Sequence, residues 1–227
     1  MKGALKNKKI LITCGPTWVP IDNTRVMSNI STGQLGQIFA EDFGKAGGEV
    51  TLLEGPVRFP CSSKKITIRK FSFYDELVAL LREELKKKYD VIIHAAAVAD
   101  YKLKKPFTQK ISSTKKSLTL ELIPTAKIIH LIKKWNPDVF LVGFKLESKI
   151  TPELLSSKTR DLFLKAHCDL VIANAFSRGQ YKGYIISEKD GILAQAGSRP
   201  EIAASLLKIL KQRGCGLPPA REPIKSL

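Results

Sequence analysis

Short apolar runs alternate with amphipathic stretches along most of the chain, and this alternation predicts strands joined by helices. The run DVIIH at residues 90–94 is apolar throughout, as expected for a strand at the centre of a parallel sheet whose two faces are both covered. Towards the C-terminal end, two runs flank residues 188–191 and predict an antiparallel hairpin. The predicted strands cover residues 10–13, 49–53, 65–69, 90–94, 118–122, 140–144, 169–173, 184–187 and 192–195.

Between these strands, apolar residues recur at the spacing of a helix face. In the first such stretch, Leu35, Phe39 and Phe43 share one face, and the glycine pair at residues 47–48 ends the helix. Polar capping residues and prolines mark where the predicted helices begin. These helices begin at Ser31 or Thr32, at Ser72 with Asp75 as its capping partner, at Thr125 with residue 135 as its end, at Thr151 before Pro152, and at Ser198 with Glu201.

Strands that alternate with helices predict an α/β fold: a doubly wound, Rossmann-like and mostly parallel sheet with helices on both faces and a small C-terminal hairpin. Ligands bind such sheets at the carboxyl ends of the strands. We therefore expect the small and polar residues that follow these ends, 14–17, 94–100, 144–147 and Asn174, to line one crevice. Residues 1–213 are predicted to form a single domain, and the proline-rich residues 214–227 a flexible tail.

The composition narrows the class of protein. No run of about 18 apolar residues is present, which predicts that no segment spans a membrane. The four cysteines are widely scattered, without a metal-binding spacing or an evident disulfide framework, so a reducing cytoplasm is expected. The net charge of +17 indicates an anionic partner, either nucleic acid or phosphorylated small molecules. Because the lysine clusters have little aromatic interleaving, nucleic-acid binding is the weaker interpretation.

The segment SNISTGQLG, residues 28–36, is the most informative stretch of the chain. It lies after the first predicted strand and opens the first predicted helix. The backbone amides of a helix's first turn have no partner within the helix, the macrodipole is positive there, and glycine lets an anion approach the backbone. The segment therefore predicts a site for a phosphorylated ligand.

Four motifs stand in a fixed order along the chain: GPTWVPID with Arg25 and SNISTGQLG, then AAAVADYK, then VGFKLES, then DLVIAN. In this order and spacing they resemble the phosphopantothenate–cysteine ligase family, the phosphopantothenoylcysteine synthetases of coenzyme A biosynthesis, over roughly residues 8–210. The resemblance implies that a nucleoside triphosphate activates 4′-phosphopantothenate as an acyl-nucleotide, with release of pyrophosphate. L-cysteine then displaces the nucleotide to give 4′-phosphopantothenoylcysteine.

The resemblance also implies cofactors and partners. CTP is expected rather than ATP, because residues 20–25 resemble the bacterial branch, and Mg²⁺ is expected with the nucleotide. A homodimer is expected, whereas membrane and nucleic-acid partners are not. Because the chain begins at the first ligase strand, it resembles a stand-alone bacterial ligase, without the flavin-dependent decarboxylase domain of fused relatives, so no flavin is expected.

Residue roles are carried over from the family position by position. Asn29 matches an asparagine that contacts the acyl-nucleotide, and Lys110 matches a lysine on a mobile flap that closes over the active site, so both are expected to act in catalysis. No metal ligands are predicted. The expected nucleotide-binding residues are Gly15, Ser31, Thr32, Gly33, Gly36, His94, Ala95, Ala96, Asp100, Thr125, Ala126, Lys127, Ile128, Phe144, Lys158 and Lys165.

The chain departs from the family pattern at three places. Gln34 stands where the family usually has a lysine or arginine, and Ser112 and Ser113 stand where the flap usually has lysines. Residues 124–127 replace an Asn-Pro-Asp motif that contacts the nucleotide, although residues 125–128 are still expected to form a helix N-terminus facing the ligand.

Two other classes of function fit parts of the sequence. A nicotinamide-binding reductase fits the alternation of strands and helices, but no G-x-G-x-x-G motif follows the first strand, and Glu54 is the only acidic residue placed to bind a ribose. A basic nucleic-acid-binding module fits the charge alone. His130, His167 and Cys14 have no ligand spacing and are interpreted as structural.

Overall fold

The chain folds around an eight-stranded sheet, in a computed structural model that describes residues 5–114, 116–177 and 179–213. The tail predicted at residues 214–227 lies outside this range. In chain order the elements are β1 (Lys9–Cys14), β2 (Trp18–Pro20), β3 (Val26–Ser28), α1 (Gln34–Lys45), β4 (Glu49–Glu54), β5 (Thr67–Lys70), α2 (Tyr74–Glu84), β6 (Val91–His94), β7 (Tyr101–Leu103), β8 (Leu122–Pro124), α3 (Ile129–Trp135), β9 (Phe140–Leu146), α4 (Pro152–Leu164), β10 (Leu170–Ser177), β11 (Gln180–Ser187), β12 (Gly191–Ala196) and α5 (Arg199–Arg213).

The strand order of the large sheet is β12-β11-β10-β9-β6-β1-β4-β5. The six strands from β10 to β5 are parallel, and β11 and β12 add an antiparallel hairpin at one edge. The predicted α/β fold with a mostly parallel sheet is therefore confirmed. Chain order reverses between β1 and β6, and the crevice beyond the carboxyl ends of such a strand pair is where this architecture binds ligands.

Two apolar cores cover the two faces of the sheet. Phe39 and Phe43 of α1 pack with Leu206 of α5 on one face, and Leu81 of α2 packs with Leu155 of α4 on the other. A third, smaller core lies under two short antiparallel ribbons, β2–β3 and β7–β8. Within the part of the chain that the structure describes, no helix combines the length and the apolar character needed to cross a membrane.

The first two helices begin later than their sequence predicts. Helix α1 begins at Gln34 rather than at Ser31 or Thr32, because the preceding Gly33 is left-handed, with φ of 70°. Helix α2 begins at Tyr74 rather than Ser72, and Asp75 is not its capping partner. The Glu76 carboxylate instead accepts hydrogen bonds from the backbone N–H of residues 72 and 73, at 2.7 and 3.2 Å.

The region between β6 and α3 differs most from its prediction. A strand was expected at residues 118–122, but strand β8 covers Leu122–Pro124 and pairs with β7. A helix was expected from Thr125, but α3 begins at Ile129. The Thr125 N–H donates to the Asp100 carbonyl at 2.9 Å and its hydroxyl donates to the Ala99 carbonyl at 2.6 Å. These two bonds hold the residues after β8 against the β6 turn and delay the helix.

A buried carboxylate joins the edge strand β5 to α2. The Glu84 side chain has no exposed surface and accepts hydrogen bonds from Arg69 at 2.6 Å, from Lys87 at 2.9 Å and from the Tyr89 hydroxyl. Burial would raise the pKa of Glu84, but the hydrogen bonds from Tyr89, Arg69 and Lys87 outweigh it and hold the pKa below its usual range.

We expect Glu84→Gln to lower the free energy of unfolding by about 3 kcal/mol, because it leaves buried partners without their counter-charge. Glu41→Gln is the matched control, since Glu41 is exposed and pairs with Lys45 at 3.6 Å, and should cost less than about 0.5 kcal/mol. Because the folded-state pKa of Glu84 is depressed, its contribution is present above the ordinary carboxyl pKa and is lost as the pH falls through the folded value. Urea unfolding from about pH 7 to about pH 3 should show that the difference in free energy of unfolding between wild type and Glu84→Gln becomes smaller as the pH falls. A difference that stays constant over this range would contradict the role of the Glu84 charge.

Candidate functional site

The turns that follow β1 and β6 are joined by hydrogen bonds and form the floor of the crevice. The Thr13 hydroxyl is 2.9 Å from His94 Nδ1 and accepts the Ala96 N–H at 3.2 Å. One turn later, the Ala97 N–H donates to the Gly15 carbonyl at 2.9 Å, and a second threonine, Thr17, accepts the Ala99 N–H, also at 2.9 Å. These hydrogen bonds therefore hold the backbone around Ala95 and Ala96 against the turn that follows β1.

His94 is uncharged in this floor. Its side chain is buried, and burial lowers its pKa to about 4. At neutral pH the ring is therefore a neutral hydrogen-bonding group that orients the turn, and it supplies no positive charge for a phosphate.

The predicted phosphate cradle lies beside this floor. The N-cap of α1 makes no side-chain hydrogen bond and its first turn holds no acidic residue, although the Gln34 N–H donates to the Thr32 hydroxyl at 3.4 Å. No carboxylate of that turn therefore neutralises the positive end of the helix dipole, which favours an anion. A Cβ on Gly36 would lie 2.4 Å from Cys14 Cβ, and a Cβ on Gly33 would lie 2.7 Å from Val57 Cγ1. Glycine at these positions lets α1 start directly against the end of β1. Ser31 and Thr32 lie in the loop that enters this turn.

Asn29 is bonded to the turn that follows β6. Its side chain is exposed, and its Nδ2 donates to the carbonyls of Ala97 and Val98, each at 3.2 Å. The amide oxygen takes no part in these two bonds. An asparagine here can hold the β6 turn with its donor and still offer an acceptor to a ligand.

Lys110 is exposed and lies on the long segment between the two strands of the β7–β8 ribbon. The residue after it is buried: the Ile111 N–H donates to Asp22 Oδ2 at 3.1 Å, and its carbonyl accepts from Arg25 Nη1 at 3.1 Å. The ribbon β2–β3 therefore meets the segment that carries Lys110.

Two of the residues expected to bind the nucleotide, Lys127 and Asp100, form an ion pair. The carbonyl of Ala126, the residue before Lys127, accepts a hydrogen bond from the Tyr74 hydroxyl at 2.9 Å. Ile128 is different, because its side chain is buried in the core under α3. The expected helix N-terminus is displaced to the end of residues 125–128, because Ile128 is the N-cap of α3 and residues 125–127 lie before the helix.

Phe144 and Lys158 reach the crevice, and Lys165 does not. Phe144 lies near the end of β9, half-buried, with its ring edge-to-face to Phe39 at 5.9 Å between centroids. Lys158 of α4 pairs at 3.2 Å with Glu147, which follows β9. Helix α4 runs back along the sheet from this end, so Lys165 at its C-cap lies at the far end and pairs with Asp161 at 3.1 Å.

Sequence analysis expected residues 144–147 to line the crevice and included Asp22 and Arg25 in a family motif, but it gave no role to two groups. Lys145 shares the Glu147 carboxylate with Lys158, at 3.4 Å, and strand alternation alone would have placed it on the face opposite Phe144. Hydrogen bonds from these two lysines outweigh the burial of Glu147 and lower its pKa, so it stays ionised at neutral pH. The second group, Asp22 with Arg25, is polar and lies in a turn, where periodicity carries no signal.

The described residues also bear on two questions of chemistry: whether they form a metal site, and whether Glu54 could serve a nicotinamide-binding reductase. Within residues 5–114, 116–177 and 179–213, no group of three or more His, Cys, Asp or Glu side chains could hold a metal ion. Glu54 accepts hydrogen bonds from Gln37 Nε2 at 2.8 Å and from the Cys61 N–H at 2.9 Å, and it is buried. Both bonds are to Oε1, and Oε2 is buried without a hydrogen-bond partner among the described residues, so it is the burial of this carboxylate that keeps it from a ribose and argues against the reductase.

A profile of the family described as the DNA/pantothenate metabolism flavoprotein C-terminal domain matches residues 5–212. The coenzyme A biosynthesis bifunctional protein CoaBC of Thermococcus kodakarensis is 40% identical over 173 residues, which is 75% of this chain and 42% of that protein. The chain spans about half the length of the curated relatives that it matches.

Solved structures share the fold. The DNA/pantothenate metabolism flavoprotein from Streptococcus pneumoniae superimposes with a TM-score of 0.81 at 32% identity, covering 90% of this chain and 99% of that one. A Cab2 variant in complex with phosphopantothenate-cysteine superimposes with a TM-score of 0.74, covering 92% of this chain and 87% of that one. Because the Cab2 variant is only 19% identical, it supports the fold alone.

Proposed function

The chain belongs to the DNA/pantothenate metabolism flavoprotein C-terminal domain family, and from that membership we propose that it joins 4′-phosphopantothenate to L-cysteine at the expense of a nucleoside triphosphate. The observation that carries this proposal is the N-terminus of α1, which has no side-chain N-cap bond and starts at the switch point between β1 and β6, five residues after Asn29. A helix N-terminus can bind a phosphate and an asparagine amide can bind an acyl group, and here the two are close together in the chain.

In the first step, a carboxylate oxygen of 4′-phosphopantothenate attacks the α-phosphorus of the nucleotide. The bond from that phosphorus to the bridging oxygen breaks, and pyrophosphate leaves. The carboxylate is already a nucleophile, so the protein's task is to bring anions together and to stabilise the charge that builds up on the phosphate. We assign binding of the triphosphate to the amides at the start of α1 together with Ser31 and Thr32. Lys110 is assigned the positive charge that stabilises the phosphate while pyrophosphate leaves.

In the second step, the cysteine nitrogen attacks the acyl carbon of the acyl-nucleotide. The amide bond forms, the nucleoside monophosphate leaves with the electrons of the acyl–oxygen bond, and the nitrogen loses a proton. We assign Asn29 to the acyl group, because its Nδ2 is already bonded to the carbonyls of Ala97 and Val98 and its oxygen takes no part in those bonds.

We propose CTP as the nucleotide, with its base beside Phe144 and its edge beside Asp100 and Lys127. Mg²⁺ is proposed to enter with the triphosphate as part of the substrate, since this ion is commonly bound by phosphate oxygens with few protein ligands. The free thiols of Cys14, Cys61 and Cys168 are consistent with the proposed cytoplasmic location.

We propose a homodimer formed through the two ribbons. Ile30, next to Asn29, is fully exposed, and Val26, Tyr101 and Leu122 on the ribbons are 42%, 54% and 39% exposed. Apolar side chains of this size gathered near a site indicate a surface that another chain covers. Sedimentation velocity should then give a mass of twice 25.2 kDa, and a monomer at micromolar concentration would contradict the dimer.

The decisive experiment measures pyrophosphate release by the purified protein with Mg²⁺, comparing CTP with ATP. Release should require 4′-phosphopantothenate, and the amide product should form only when L-cysteine is added. Faster release with CTP supports the proposed nucleotide, and faster release with ATP overturns that part alone. No release with either nucleotide would contradict the ligase, and salt-sensitive binding of RNA or DNA would then favour the nucleic-acid alternative.

A further inference from the structure

The turn between β2 and β3 is built around one carboxylate. The Asp22 side chain has no exposed surface. Its Oδ1 accepts hydrogen bonds from the Thr24 N–H at 2.8 Å, the Thr24 hydroxyl at 3.0 Å and the Arg25 N–H at 2.8 Å. These three donors come from the turn itself and would satisfy an ordinary Asx turn.

The other oxygen reaches outside the turn. Asp22 Oδ2 accepts from Arg25 Nη1 at 2.8 Å and from the N–H of Ile111 at 3.1 Å. The same Arg25 nitrogen donates to the Ile111 carbonyl at 3.1 Å, so both the N–H and the carbonyl of Ile111 are bonded to the Asp22–Arg25 pair. At a second point, the Phe107 N–H donates to the Ile21 carbonyl at 2.9 Å.

These contacts tie residues 107–111 to the turn at two points. Lys110 lies between the two points and is itself exposed. The same turn leads through β3 to Asn29, whose amide is bonded to the β6 turn. The two residues assigned to the two chemical steps are thus connected through residues 21–25.

The carboxylate is suited to this task because it remains charged. Burial would raise the pKa of Asp22, but the N–H groups of Ile111, Thr24 and Arg25 and the Thr24 hydroxyl outweigh it and hold the pKa well below its usual range. Hydrogen bonds to an ionised acceptor are roughly twice as strong as those between neutral groups.

We infer that Asp22 is a positioning residue that fixes the Lys110 segment to the arm carrying Asn29. It touches no substrate and acts through the backbone of residues 107–111. The inference rests on the proposed function for the roles of Lys110 and Asn29, whereas the anchoring itself does not.

Amide hydrogen exchange tests the anchoring without any activity. In Asp22→Asn an amide NH₂ replaces one of the two acceptor oxygens, so a donor faces either Ile111 or Thr24. We expect the peptide spanning residues 107–113 to exchange at least roughly tenfold faster, because one charge-assisted bond is lost. Thr24→Val is the matched control, since it removes one donor from the same carboxylate and leaves the bond to Ile111 in place.

Equal exchange of this peptide in Asp22→Asn and Thr24→Val would overturn the inference. Asp190→Asn controls for the substitution itself, because Asp190 pairs with Ser187 and Arg213 away from the crevice. If Asp22→Asn does not fold, Asp22→Glu, which keeps the charge and displaces it by one methylene, is compared with Thr24→Val by the same criterion.

Kinetics then separate positioning from stability. We expect Asp22→Asn to lower kcat for pyrophosphate release by roughly 10- to 100-fold, because Lys110 is misplaced in the transition state, and to change KM for CTP by less than about threefold, because the α1 cradle is untouched. A lower melting temperature with unchanged kcat would show a merely structural role and overturn the inference. If wild type releases no pyrophosphate, the proposed function fails, and hydrogen exchange still decides the anchoring.

Discussion

Asn29→Asp is expected to leave the chain folded and to lower formation of 4′-phosphopantothenoylcysteine by roughly a hundredfold or more. The asparagine donates from Nδ2 to the carbonyls of Ala97 and Val98, and a carboxylate has no proton to donate to them. It would instead place a negative charge against two carbonyl oxygens and move the arm away from the β6 turn. The loss should fall on the second step, because the acyl group loses its positioned partner.

The two steps can be measured on the same samples. Pyrophosphate release should fall by less than about tenfold in Asn29→Asp, because the α1 cradle is unchanged, while acyl-nucleotide accumulates and amide product does not. Asn136→Asp is the matched control, since residue 136 is the C-cap of α3 on the other part of the fold and should not alter either step. Unchanged product formation in Asn29→Asp would remove this residue from the mechanism.

Gly36→Ala is expected to cost about 2–3 kcal/mol of folding free energy and to weaken nucleotide binding at least roughly tenfold. The added methyl carbon would lie 2.4 Å from Cys14 Cβ and 3.4 Å from the Thr13 carbonyl oxygen. Neither neighbour is the end of a flexible side chain, so α1 must move away from β1. That movement displaces the first-turn amides that we assign to the triphosphate.

The same helix supplies a matched control. A Cβ on Gly44 would meet only Ile66 Cγ1, at 3.7 Å, which is ordinary contact. Gly44→Ala should therefore raise the free energy of unfolding by up to about 1 kcal/mol, because alanine is the better helix former. Urea unfolding and titration with CTP measure both effects. Equal stability and equal CTP affinity in the two variants would contradict the close contact between α1 and β1.

Local patterns in the chain were enough to predict the frame of the fold. Six parallel strands, the C-terminal hairpin and the helices between them follow from apolar periodicity, which is set by each segment's own geometry. The predicted capping pair of α5 is present in part: the Glu201 N–H donates to Ser198 Oγ at 3.3 Å, but the Glu201 carboxylate accepts from the Gly197 N–H at 2.9 Å rather than from that of Ser198. The strand–glycine–helix order that places Gly33 and Gly36 beside β1 is local in the same sense.

Motif order carried the expectation for Asn29 and Lys110, but not the means by which they are held. The four ribbon strands, β2, β3, β7 and β8, are each three residues long. Such short strands bury too few apolar residues to show a period of two, so apolar periodicity predicted no strand at β2, β3 or β7. The contact between Asp22 and Ile111 joins residues 89 positions apart, and no local pattern predicts it.

The sequence by itself determined the class of fold, the order of its main elements and the glycines that let α1 start against β1, because each of these is a property of neighbouring residues. Tertiary structure decided where α3 begins, which carboxylate secures the Lys110 segment, and that Lys158 reaches the crevice while Lys165 does not. Those outcomes depend on hydrogen bonds and helix directions between distant segments, and partners of this kind are chosen only when the sheet has assembled.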